Sequence, residues 1–118
     1  MGEGFGSYVR ERREAVDDDD VRLSVRGLAR RLGVQASYLS KVERDEVPPP
    51  SEALIVRIAQ ELDEDPDMLL ALGGKVSSEL QAVIRKRPRL FAELIRSLKD
   101  QPDHAVLRVV REVRDGNW

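Results

Sequence analysis

Val25 to Arg44 reads VRGLARRLGVQASYLSKVER. Val25, Leu28, Ala29 and Leu32 recur at i, i+3, i+4 and i+7 behind Ser24, a spacing that predicts a short amphipathic helix with a serine N-cap. Gly33 stops that helix, at a place where a tight turn needs a positive φ. After the turn a second helix is predicted over about Ala36 to Arg44, with Leu39 and Val42 on its inner face. Pro48 to Pro50 forbid its continuation. Leu28, Leu32, Val34, Leu39 and Val42 then lock the pair together, and Ala29 is small where the two helices approach. A β-branched residue at position 33 is expected to unfold the domain, because it would be forced to positive φ.

Working outward, Phe5, Tyr8 and Val9 fall at helical spacing after Gly4, which predicts a first helix from about Phe5 to Ala15. Asp17 to Asp20 ends it and reads as a connection. Ser51 opens a helix to about Leu62, with Leu54, Ile55, Ile58, Ala59 and Leu62 inward. Asp65 followed by Pro66 is an N-cap with proline at the first helical position, giving a two-turn helix closed by Gly73 and Gly74. Those glycines are the expected boundary. Beyond them three more helices are predicted: from Ser77 or Ser78 to Arg87, from Pro88 to about Lys99, and from Pro102 to Gly116. Valine favours strands, yet Val106, Val109, Val110 and Val113 are spaced as one helical face. The expectation is an all-α chain, with a five-helix domain over residues 1–74 and a small helical region over 75–118.

Composition narrows the function classes. The 118 residues include no cysteine, which excludes disulfides, zinc-cysteine clusters and thiol nucleophiles together. His104 stands alone and cannot build a multi-histidine site. No apolar run approaches the ~18 residues of a membrane span, and Met1 to Arg10 lacks the apolar stretch of a signal peptide. A cytoplasmic protein without cofactor, metal or catalytic site is the expectation. Net charge is -2, but residues 1–74 carry 10 Lys/Arg against 16 Asp/Glu and residues 75–118 carry 10 against 6. Between Arg22 and Arg44 the cations Arg22, Arg26, Arg30, Arg31, Lys41 and Arg44 face Glu43 alone. Local charge, rather than net charge, decides phosphate affinity.

Two short helices joined by a glycine turn can lay the first across a DNA backbone and the second in the major groove. The segment resembles the helix-turn-helix of the lambda-repressor-like, or XRE, family of regulators, in coarser form from about Phe5 to Gly73. SYLSKVER and LDEDPDMLLAL are particularly similar to that family. The resemblance implies a dimeric, sequence-specific regulator of transcription, a repressor reading a double-stranded operator. It places base-reading positions at Gln35, Ala36, Ser37 and Lys41. The chemistry agrees in part: Ser37 can donate or accept at a base edge, Lys41 can reach guanine, and Ala36 can touch only a thymine methyl. Gln35 could hold a phosphate with the free N–H groups of the helix start. Tyr38 and Ser40 flank these contacts, although Tyr38 equally suits packing on the neighbouring helix.

Two departures stand out. Val25 replaces the glutamine that often anchors phosphate in this family, so Arg22 or Arg26 must supply that anchor. The loop Asp17 to Asp20 is longer and more acidic than the usual turn, and is read as facing away from DNA. Arg13 and Glu43 match positions that pair in related regulators, which implies an architectural ion pair. Arg30 and Arg31 fit a solvated helix face as well as a contact. His104 is expected exposed, and Trp118 is either a frayed end or a docking anchor. In the C-terminal region Leu90, Leu94, Leu98, Val106, Val110 and Val113 are the candidate homodimer surface. Its alternatives are completion of a monomeric core or capture of a partner protein, a toxin or a regulatory metallopeptidase, in an antitoxin or adaptor role.

Overall fold

A computed structural model describes residues 4–18 and 21–118. Among these residues eight helices follow in order: α1 (Phe5–Ala15), α2 (Val25–Leu32), α3 (Ala36–Glu43), α4 (Glu52–Leu62), α5 (Pro66–Leu72), α6 (Ser78–Lys86), α7 (Pro88–Leu98) and α8 (Asp103–Asp115). The fold is all-α. One antiparallel pairing of two residues a side, β1 (Asp17–Asp18) with β2 (Val21–Arg22), joins α1 to α2. This corrects the reading of the acidic run as a plain connection. A two-residue pairing needs only backbone groups and leaves no alternation of side chains to read. Just beyond it Leu23 N–H donates to Val16 O at 3.4 Å, and Leu23 enters the core. Asp19 and Asp20 lie outside the described residues, and so do the side chains of Asp17 and Asp18, so the expected outward facing of that run falls there too.

The chain divides into two compact units, the first ending at Ser77 and the second spanning Ser78–Trp118. In the first, α1 packs on α3, α2 on α3 and α4, and α4 on α5. The core is aliphatic, as five aromatic residues in 118 require. Val9, Leu28, Leu39, Ile55, Ile58 and Leu69 are sealed in it, one or two from each helix, and Phe5 is its one buried aromatic.

Four helices of this unit end in the same way, α5 doing so with Lys75 N–H on Leu70 O at 2.9 Å after the left-handed Gly74 (φ 76°). The N–H of the residue after the turn reaches back to the carbonyl five residues earlier, as Val34 to Ala29 (3.0 Å), Glu46 to Lys41 (2.9 Å) and Glu64 to Ala59 (2.8 Å). The preceding residue is left-handed in each: Gly33 (φ 73°), Asp45 (φ 56°) and Asp63 (φ 56°). This closure satisfies carbonyls that a helix end would otherwise leave bare. Aspartate tolerates the conformation at modest cost. At Asp45 the carboxylate also accepts Gly6 N–H at 2.9 Å, tying α1 to the end of α3.

Glu64, held by the closure of α4, ties α1 from the other side. Tyr8 hydroxyl donates to its Oε1, and Arg12 Nε lies 2.8 Å from its Oε2. Donation to that carboxylate raises the Tyr8 pKa above its ordinary 10.0, with desolvation and the Glu64 charge adding to the effect. A phenol whose folded pKa is raised contributes stability below the unfolded value and loses it as pH rises through the folded one. Tyr8→Phe is therefore expected to lower the urea midpoint at neutral pH. The gap from wild type should close above pH 10, and a gap independent of pH would assign it to packing.

In the second unit the candidate residues Leu90 (62% exposed), Leu94, Val110 and Val113 (63%) lie on the surface, while Leu98 and Val106 are half-buried. None of α6, α7 or α8 has a fully buried side chain. His104 is exposed, as expected. Trp118 is almost wholly exposed, its indole N–H donating to Val113 O at 3.2 Å.

Candidate nucleic-acid interface

The site begins at Ser24. Its Oγ accepts Gly27 N–H at 2.9 Å and starts α2, whose inner face buries Leu28, Ala29 and Leu32. The turn at Gly33 follows, and Val34 packs against the core. A second device holds the turn: Arg57 of α4 donates from Nη1 to Leu32 O at 2.7 Å and from Nη2 to Arg31 O at 3.0 Å. These bonds occupy carbonyls at the end of α2 and fix that end to α4.

Gln35 is the N-cap of α3, exposed and without a side-chain cap bond. Leu39, Val42 and Glu43 are buried, which orients the helix. At 3.6 residues per turn Ser37, Lys41 and Arg44 fall at i, i+4 and i+7 on the opposite face, and all three are exposed. Ser40 sits at the edge of that face, half-buried. Ala36 and Tyr38 are half-buried and pack against the core, so the packing role left open for Tyr38 is the one seen. Ala36 accordingly offers only part of its methyl group outward. Arg22, on β2, and Arg26, in the first turn of α2, are exposed on either side of the α2 start.

Arg13 and Glu43 form the ion pair expected of them. Arg13 Nε and Nη2 donate to the two Glu43 carboxylate oxygens at 2.8 and 2.9 Å, and Nη1 donates to Leu23 O at 3.0 Å. The Glu43 hydrogen bonds raise the arginine pKa further, and burial opposes them. Beside this pair lies a cavity of about 230 Å³ lined by Arg10, Arg13, Val25, Ser40, Glu43 and Arg44. Its two outer guanidiniums are engaged only at the surface: Arg10 with Glu14 at 3.4 Å, and Arg44 with Glu46 at 2.9 Å. Such exposed pairs are worth little and exchange readily for another anion.

Arg10, Arg44 and Arg57 were not among the residues picked out from the sequence as contacts. Arg44 was legible as the i+7 partner of Ser37. Arg10 and Arg57 left no local signal, since only the packing of α1 on α3 and of α4 on α2 brings them here.

A two-helix unit whose first helix is capped and fixed, and whose second presents a polar, cationic outer face, defines a helix-turn-helix DNA-binding domain. Residues 5–72 match the helix-turn-helix domain family, and the chain belongs to that family. The match is consistent with the lambda-repressor-like resemblance. No curated protein and no solved structure matches the chain. Among the described residues no group of His, Cys, Asp or Glu could hold a metal ion, and no helix is long and apolar enough to cross a membrane.

Proposed function

We propose that the protein is a sequence-specific regulator of transcription, a dimeric repressor of the XRE type that reads the major groove with α3. The observation that carries this reading is the exposed face of Ser37 and Lys41 on the second helix of the motif, continued by Arg44 at its C-cap. Ser37 and Lys41 read base edges, and Ala36 leaves room or meets a thymine methyl. Gln35, Arg22 and Arg26 hold phosphates around the helix starts, with Ser40 and Tyr38 at the flanks. Arg44 and Arg10 add phosphate contacts beside the 230 Å³ cavity.

Lys41→Ala on a duplex selected from a random pool is expected to cost about 1 to 3 kcal/mol and to relax preference at one base pair. Equal loss on selected and random duplex would reduce Lys41 to a phosphate contact. Arg22→Ala and Arg26→Ala are expected to weaken both duplexes alike, each reducing the salt slope by about 1.

The dimer is assigned to residues 75–118, with Leu90, Leu94, Leu98, Val106, Val110 and Val113 as its surface. Three helices without a fully buried side chain leave apolar area that a second copy would cover. Two-fold dimers reading two half-sites are the usual way such motifs gain specificity. Sedimentation at micromolar concentration tests this: full-length chain should be dimeric, and chain truncated after Gly74 a folded monomer with much weaker operator binding. A full-length monomer, free and on DNA, would sink the dimer. A stable hetero-complex that survives loss of DNA binding would favour the antitoxin or adaptor role.

A further inference from the structure

From Leu80 to Ala92 the chain has no carboxylate, and within that stretch Arg85, Lys86, Arg87 and Arg89 occupy four of five consecutive positions. Pro88 turns this run into a corner. α6 ends at Lys86 and α7 starts at Pro88, so all four cations gather at one junction, and all four are exposed. Two other arginines of the same unit face carboxylates, Arg108 with Glu112 at 3.4 Å and Arg114 with Asp115 at 2.9 Å, whereas Arg96 and Arg111 stand singly among residues of mixed charge. The corner differs in density. Among the described residues none of its cations has an ion-pair partner, and Arg85 Nη2 donates only to Gln81 Oε1, at 3.2 Å.

The fold accounts for half of this charge. Arg85 and Lys86 lie in the last turn of α6, where cations complement the helix dipole. Arg87 and Arg89 do the reverse. They stand at the N-cap and in the first turn of α7, which carries no acidic residue to offset them, and cations there oppose the positive end of the dipole. Four like charges in five residues repel one another as well. A charge cluster that its own helix disfavours is explained by a ligand of opposite charge. The cluster carries side chains fitted to repeated phosphates.

We propose that this corner is a second, sequence-independent site for the phosphate backbone of duplex DNA. The proposal rests on the reading of the first unit as the specific DNA binder. Duplex held there raises the local phosphate concentration for any basic surface joined to it by a short link.

The test uses full-length chain, a selected duplex and a random duplex of about 40 base pairs, roughly four helical turns. Binding is followed by fluorescence anisotropy across a salt series. R85Q/K86Q/R87Q/R89Q is expected to flatten the plot of log affinity against log salt by about 3.6, at about 0.9 per phosphate neutralised. Random-duplex affinity should fall roughly tenfold or more at 0.1 M salt, with base preference on the selected site unchanged. The pair R87Q/R89Q should flatten the slope by about 2 and leave the Tm unchanged or raised, whereas a structural role would lower it.

S37A/K41A separates the two readings. If that variant loses base preference yet keeps random-duplex binding that the four glutamines abolish, both stand. If it keeps wild-type preference while the corner still sets the slope, only the reading of α3 fails. An unchanged slope in the four-glutamine variant overturns the proposal. So does cluster-dependent binding to vesicles of about 30% phosphatidylserine with no cluster effect on duplex, which would make the surface a lipid site.

Discussion

Glu43→Ala is expected to destabilise the first unit by about 3 to 5 kcal/mol, measured as a fall in the urea midpoint. The side chains of Arg13 and Glu43 are only 9% and 3% exposed, and the two make a two-point contact. Removing the carboxylate strands a guanidinium that cannot shed its proton in the protein interior. Domains of this size have about 5 to 15 kcal/mol in all, so this loss alone brings the unit near unfolding. DNA binding should fall with stability, because Glu43 closes the last turn of α3. The sharper test is Arg13→Met with Glu43→Leu in one chain. Replacing both charges should recover most of the loss, as apolar substitutes for buried pairs commonly do. Full recovery is not expected, because Leu23 O would lose the Arg13 donor, leaving a residual of about 1 kcal/mol. If Glu43→Ala alone cost under about 1 kcal/mol, the pair would be acting as a solvated surface pair.

The sequence disclosed local features more readily than distant ones. Ser24 and Asp65 were visible as caps and Ser51 as a helix start, and each side chain accepts an N–H two or three residues on. Gly33 was visible as a turn, and its φ is 73°. Caps and turns are written in neighbouring residues, so they can be read without the fold. The left-handed residues Asp45 and Asp63 were not foreseen, because aspartate does not announce positive φ as glycine does. Arg57 was missed for another reason: it stands 25 positions from Leu32, whose carbonyl it holds. The same holds for Arg10, which lines one cavity with Ser40 and Arg44 only because α1 lies on α3. Arg13 and Glu43, 30 positions apart, became legible only through the family resemblance. The polar face of α3 was readable as periodicity, whereas the cavity beside it is a product of packing.

The expected consequence of altering Gly33 changes once the space around it is seen. A Cβ on Gly33 would meet nothing within 4 Å, so an alanine there suffers only the backbone strain of φ 73°, and the larger penalty expected of a β-branched residue is not shared by it. That strain is about 1 to 2 kcal/mol, too little by itself to unfold a domain. Among the described glycines of the first unit, the one that admits no side chain is Gly6. A Cβ built there would fall under 3.0 Å from the carbonyl oxygens of Val42 and Glu43 and from Asp45 Oδ1. Two of those atoms are backbone at the end of α3, and the third holds Gly6 N–H. None can swing aside as the tip of a long side chain would. α1 would have to lift from α3, weakening the Gly6 link to Asp45 and the packing of Phe5 and Val9. Gly6→Ala is therefore expected to cost about 3 kcal/mol, the upper end of over-packing in a filled core. Gly33→Ala should cost about 1 kcal/mol, and urea titration of both variants ranks them. The opposite ranking would mean that α1 yields easily and that the turn at Gly33 carries the stability of the motif.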